Sequence, residues 1–499
     1  MRQTLVTAAL VALAVLGPAA PAVAHPAVPL DASSPLDVTY SATDNVEHLG
    51  RFPEHFGTAG GHLTDDGRTF LLTDPRGVHA YDASVPEDPQ LLGSVPLYQT
   101  TTGMALAQED PDTNGEILLV DAATTPAATS SQLRVVDVSD PTAMKVLSSV
   151  AVTDHTWTCI TGTDDTGASN SCAYAYGRTG HIVDLTDPAA PALLPHTWRG
   201  SVGYGDRSNS PYTHDLTEIR PGLVMTAGAS AVVMDTTDPT APVYLTEIGD
   251  RKRFSSLGYH SVEWARGGRD RFVVLGTEIA PPPAPGLPAA AANTAGSDCE
   301  GEASVIETWD ARRFLSAMKT YERRGEPAVF AGELFTKLDS YDAGGRGLFL
   351  DGASPGSQLY CAHWMEQHPD FKKGGLLSVA YYDRGTRFVR VGQDGSMSEV
   401  GWITAADGYA GSTQWISDDV VYVMDYRRGL EVLRLDAAPA RKVEKHERDS
   451  IAPASAFSLP SGPHLHGAQL ALGAFALLLV LLVRTERVVR RREGGLAVA

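Results

Sequence analysis

Leu133-Arg-Val-Val-Asp-Val-Ser-Asp-Pro141 recurs with small changes as Gly180-His-Ile-Val-Asp-Leu-Thr-Asp-Pro188 and Ala231-Val-Val-Met-Asp-Thr-Thr-Asp-Pro239. Each copy is a short β-branched run, suited to a buried strand, that ends in an Asp-Pro turn where proline sets φ and stops the pairing. Self-similarity at this period points to a repeat architecture. The aspartates that recur at this place, Asp82, Asp137, Asp184, Asp235, Asp310 and Asp436, are expected to organise turns.

Working outward, a unit from Gly60 reads as four strands: one around His62, then Thr69–Thr73, Gly77–Asp82 and Gln90–Val95. Further units run from Gly103 to Val150, His155 to Pro195 and His214 to Ile248. A fifth begins at His260, is interrupted by a Pro/Ala/Gly-rich excursion from Pro281 to Ser297, and resumes at Ser304 with a short helix expected over Ala311–Thr320. A sixth covers Cys361–Ile403, and a seventh, from Gln414, has only three strands. The missing outer strand is at the other end of the chain, because Asn45–Phe52 is similar to Gln90–Val95. An all-β, seven-bladed β-propeller of four-stranded blades, closed by an N-terminal strand over 45–436, is therefore expected. Such closure leaves no long free sheet edge, whereas an open sandwich explains neither the period nor the terminal match.

The Val-Val-Asp-Val-Ser-Asp-Pro copies, each followed by an apolar strand, resemble the LVIVD-repeat β-propellers of bacterial surface and exported proteins. The resemblance covers about 45–436 and implies the same fold, and it carries no settled activity. The fifth to seventh units depart from its Asp-Pro pattern at Asp310-Ala-Arg, Gln393-Asp-Gly and Asp436-Ala-Ala.

The two ends suggest a location. Residues 1–24, with Arg2, an apolar run and Ala22-Val-Ala24, read as a signal peptide cut before His25, and 25–44 as an N-terminal extension. After a polar, Pro/Ser-rich stalk (437–466), the apolar stretch 467–483 is at the short end of the roughly 17–25 residues that cross a bilayer. Five arginines in the tail 484–499 set its cytoplasmic side, so a single-pass cell-membrane protein with an extracytoplasmic propeller is expected. Leu459-Pro-Ser-Gly-Pro463 lacks the threonine of a cell-wall sorting signal.

The chain has formal charge −20; discounting Arg2 and the five arginines and two glutamates of the tail moves the exported body to about −24. Such a surface repels phosphate backbones and excludes nucleic acid as a partner. An even count of cysteines in an exported chain favours disulfides. Cys159 pairs with Cys172 across one hairpin, and Cys299 with Cys361 by elimination.

Two sets of residues could bind metal. Five units open with histidine, at His62, His155, His214, His260 and His363, where the second and seventh have Thr102 and Gln414. First strands line a propeller's channel in one direction, so these imidazoles gather on one face. They would either ligate copper or zinc or hydrogen-bond the neighbouring blade's backbone. Exported propellers of the selenium-binding, methanethiol-oxidase type are similar in using channel histidines for copper, with no motif shared here. Asp110, Asp112, Asn114 and Asp121 match the spacing of a calcium loop, but Asn114-Gly115 is equally a type I′ hairpin signal. An N-terminal His25 offers a further copper chelate. Gly352-Ala-Ser-Pro-Gly356 fits a nucleophile elbow in letters only, since Pro355 lacks the N–H the oxyanion needs. Two functions follow: a membrane-anchored binding module that takes a protein, polymer or small ligand on one face of the ring, or a metal-dependent oxidase or hydrolase built on the channel histidines.

Overall fold

The computed structural model describes residues 40–58, 60–98, 109–123, 131–164, 166–204, 213–249, 257–279, 305–325, 330–343 and 362–437. Among them the strands form seven antiparallel sheets in ring order, as a seven-bladed propeller requires. The inner strands of blades 1 to 7 are Gly60–Leu63, Asp112–Thr113, Trp157–Thr163, Thr213–Arg220, Leu257–Glu263, Met365–Gln367 and Ala410–Trp415. The signal sequence, His25, Thr102, the excursion from Pro281 to Ser297, Gly352–Gly356, Cys299, Cys361 and the expected membrane span lie outside the described residues. No helix among the described residues is long and apolar enough to cross a membrane.

The chain closes as its terminal match implies: Val46–Phe52 pairs antiparallel with Gly429–Leu435 and completes blade 7. Tyr40–Ala42, within the expected N-terminal extension, adds a fifth strand to blade 6 beside Met397–Ala405. The Tyr40 hydroxyl donates to Glu431 at 2.8 Å, and the buried Arg428 donates to Glu431 at 2.7 Å and to Asp407 at 2.6 Å. The N-terminal segment thus ties blades 6 and 7 together by side chains as well as by ladders.

The repeat motif explains the blade's outer half. Asp137 accepts from the Ser139 N–H at 3.1 Å, Asp184 from Thr186 at 2.9 Å and Asp235 from Thr237 at 2.9 Å, which closes the turn at its own aspartate. The turn's proline cannot donate but can accept from the preceding blade: Ser148 donates to the Pro188 carbonyl and Tyr176 to that of Pro239. Apolar clusters fill the space between blades, for example Leu119 and Val135 of blade 2 against Ala175 and Val183 of blade 3. Each fully buried Leu or Val among them contributes about 1.5–3 kcal/mol. The helix after blade 5's third strand spans Arg312–Arg324, longer than expected, and buries Phe314 and Met318. Cys159 and Cys172 form the expected disulfide in the first hairpin of blade 3.

Candidate metal centre

Four of the five histidines meet at the channel: His155 just ahead of the inner strand Trp157–Thr163, and the other three at a bulge. In blade 4 the register passes from Thr213 to Asp215 and leaves His214 unopposed; in blade 5 it passes from Tyr259 to Ser261 over His260. In blade 6, His363 and Trp364 both bond to Ala380, again two residues against one. A bulge re-aims a side chain out of the strand's alternation, here toward the ring axis. Blade 7 has the same bulge, from Ala410 to Ser412, and its extra residue is Gly411. Blade 1 has none: its ladder runs unbroken through His62↔Leu71, so His62 stays in the pleat and lines a cavity instead of joining the others.

The point on which the imidazoles converge is a carboxylate. Oε2 of Glu109 lies 3.2 Å from Nε2 of His155, 3.7 Å from His214, 3.8 Å from His260 and 3.5 Å from His363. Glu278 adds an oxygen 3.5 Å from His260 Nε2. In the trios Glu109/His155/His214, Glu109/His260/His363 and His214/His260/Glu278 the ligand atoms lie within 4.8 Å of one another. Glu109, His214, His260 and His363 are buried. Tyr426 donates to Glu109 Oε1 at 2.8 Å and Trp364 to Oε2 at 3.4 Å.

The hydrogen-bond chemistry favours a cation at this point. One carboxylate oxygen cannot accept four N–H groups, and three of the four distances exceed the usual N–H···O range of about 2.7–3.2 Å. His363 Nδ1 is hydrogen-bonded to the Gly411 carbonyl. A carbonyl only accepts, so Nδ1 carries a proton, and Nε2 is the nitrogen turned toward Oε2. Where Nε2 carries no proton, its lone pair meets that of the carboxylate, and a cation between them turns the repulsion into coordination. An Nδ1–H···O=C bond of this kind is also how proteins fix the Nε2 of a metal-binding histidine. The backbone-locking role expected as the alternative is thus played by one ring nitrogen of His363, while the other faces Glu109.

Glu109 was not foreseen. Sequence comparison of the units placed Thr102 at the opening of blade 2, but the inner strand there is Asp112–Thr113, just before the Asn114-Gly115 turn. The hairpin signal, followed upstream, would have found Glu109. The calcium loop is a correction: the segment is that hairpin, with Gly115 at φ +84°. Three of its four candidate ligands go to separate partners, Asp112 to the Cys159 N–H, Asn114 to Asn170 and Asp121 to the Asp154 N–H, while Asp110 lines a cavity beside Glu109.

That cavity, of about 350 Å³, is lined by Glu109, Trp364 and His62, and by the carboxylates of Asp110, Asp112, Glu218, Glu263 and Glu366. Two of these acids bond to a neighbouring blade: Glu218 accepts from the Thr161 N–H of the preceding blade at 3.0 Å and Glu366 from the Trp415 N–H of the next. Gln414, expected at the ring of histidines, lies here and donates to Glu366. Burial pushes Glu218 up to about 7 and Glu263 up to about 8.

A second histidine group, His55, Asp74 and His79, is a lock between the closing segment and blade 1. Asp74 Oδ2 lies 3.1 Å from each imidazole and already accepts from Arg76 at 2.8 Å, a fixed positive charge where a cation would have to bind.

No family model matches the chain, and no curated protein matches it. Among solved structures the crystal structure of the RRP9 WD40 repeats aligns with 80% of this chain and 100% of its own, at a TM-score of 0.47 and 9% identity.

Proposed function

We propose that the channel holds a transition-metal ion on Glu109 and histidines drawn from His155, His214, His260 and His363, and that the protein is a metal-dependent enzyme. The observation that carries this is the convergence of four imidazole nitrogens on one buried carboxylate oxygen, one of them with its far nitrogen already bonded to a backbone carbonyl. Neutral imidazoles suit zinc, copper, iron and nickel, and such an ion would act on a substrate held in the adjoining cavity, which meets the cluster at Glu109 and Trp364. Around this centre we place the rest of the sequence reading: an LVIVD-type repeat protein, exported, and anchored by 467–483 with its propeller outside the cytoplasm.

Elemental analysis of the purified full-length chain tests the centre. About one transition metal per chain is expected, lost in His214→Ala and His260→Ala. A wild-type chain that takes up no stoichiometric zinc, copper, iron or nickel on reconstitution would sink the proposal and leave a metal-free binding module. Binding should also weaken at acid pH, because protons compete for the imidazoles.

A further inference from the structure

Beside the cluster is a residue under backbone strain. Tyr382 has φ +46°, the left-handed region that a bulky side chain avoids. It is held there by paired backbone bonds to Ala410, Tyr382 N–H to Ala410 O at 3.0 Å and Ala410 N–H to Tyr382 O at 2.9 Å. A glycine at this turn would carry no strain, so the strain serves the side chain. Such outliers gather where function requires them.

The strained turn puts the phenol against the ligands. The Tyr382 ring is fully buried and its centroid lies 4.4 Å from that of His363. Its hydroxyl donates to Glu278 Oε1 at 2.6 Å, and the other oxygen of Glu278 faces His260. Tyr409 continues the stack away from the cluster at 4.7 Å, with the Arg427 guanidinium over its ring at 5.1 Å. Tyr426 is also near but relaxed in backbone, and its ring lies farther from His363, at 6.1 Å.

We infer that Tyr382 is a redox-active tyrosine that supplies an electron to the channel metal's chemistry, with Glu278 as its proton acceptor. The inference rests on the metal-centre reading and selects oxidation over hydrolysis as the reaction class. An oxidisable phenol in contact with a ligand ring, hydrogen-bonded to a buried carboxylate, is arranged to lose electron and proton together. With a peroxide as oxidant the balance closes. The Tyr382 O–H bond breaks, its proton passes to Glu278 and its electron to the centre, leaving a neutral phenoxyl radical. A second electron comes from the metal, which rises by one oxidation state. The peroxide O–O bond breaks, and two electrons with two protons from solvent yield two waters.

The test mixes the full-length, Fe(II)-loaded chain with hydrogen peroxide, freezes the mixture at short times and records electron paramagnetic resonance, with metal content assayed on the same samples. A tyrosine radical is expected in the wild type and lost in Tyr382→Phe, which keeps the ring and its packing, at unchanged metal content and with the cooperative thermal transition retained. An undiminished radical in Tyr382→Phe, or a fully loaded wild type that gives no radical, overturns the inference and leaves the metal centre standing. Failure of the wild type to load iron, read from the metal assay, overturns the inference as well; failure to take up zinc, copper and nickel besides overturns the centre itself.

Discussion

His363 and Gly411 belong together at the residue scale. They occupy the same bulged place in adjacent blades, and the glycine's carbonyl receives the histidine's Nδ1. A Cβ on Gly411 would sit 2.7 Å from Tyr426 Cε2 and 3.2 Å from the Met424 carbonyl, so a side chain here collides with a buried ring and with backbone. Gly411→Ala is expected to cost about 1–3 kcal/mol of stability in urea unfolding. By disturbing the partner of a ligand histidine it should also weaken metal binding by on the order of 10–100-fold in a metal titration. The four histidines that meet were legible because repeat register alone brought them to corresponding places. His62 shared that register by letter but not by backbone, since its strand has no bulge. A bulge leaves no mark in a single sequence, and so the fifth expected ligand was lost and Gly411's role unseen.

Among elements, inner strands carry an unusual load of carboxylates. Glu218 and Glu263 reach the next or previous blade's backbone, yet burial raises both, to about 7 and about 8. Their folded values lie above the unfolded value of about 4.5, so the native state holds protons that the unfolded chain has released. Their contribution to stability is complete below pH 4.5 and is lost as pH rises through 7 to 8. The metal-free chain should therefore unfold at lower urea as pH rises from 5 to 8, and Glu218→Gln should flatten that slope. A slope of opposite sign, or one unchanged in the variant, would contradict the assignment. Outer elements were far more legible: an Asp that caps its own turn and a Pro that ends a strand act within a few residues, and the sequence states them directly. The segment Asp110–Asp121 was the exception, because one spacing served both a calcium loop and an Asn-Gly hairpin, and the two differ only in where the side chains go.

The ring as a whole depends on its N-terminal strands. Val46–Phe52 covers the edge of blade 7, and Tyr40 reaches Glu431 beside the buried Arg428. Deleting residues 40–52 would bare the edge of Gly429–Leu435 and leave Arg428 and Glu431 without their cover. Loss of the cooperative thermal transition and aggregation on size exclusion are expected; a monomer with an unchanged midpoint would show that closure contributes little. Because the histidines come from blades 3 to 6 and Glu109 from blade 2, loss of the ring should also abolish metal uptake.

The sequence by itself determined the strand period, the turn chemistry, the terminal match that closes the ring, the hairpin disulfide and four of the histidines. All of these are local patterns or repeats of one. Only the tertiary structure decided that Glu109 is the point they face, that Glu278 and Tyr382 stand beside them, and that His62 and the acidic loop do not take part. Those outcomes depend on bulges and on contacts between blades tens to hundreds of residues apart, where side chains meet by the curvature of the ring and not by spacing along the chain.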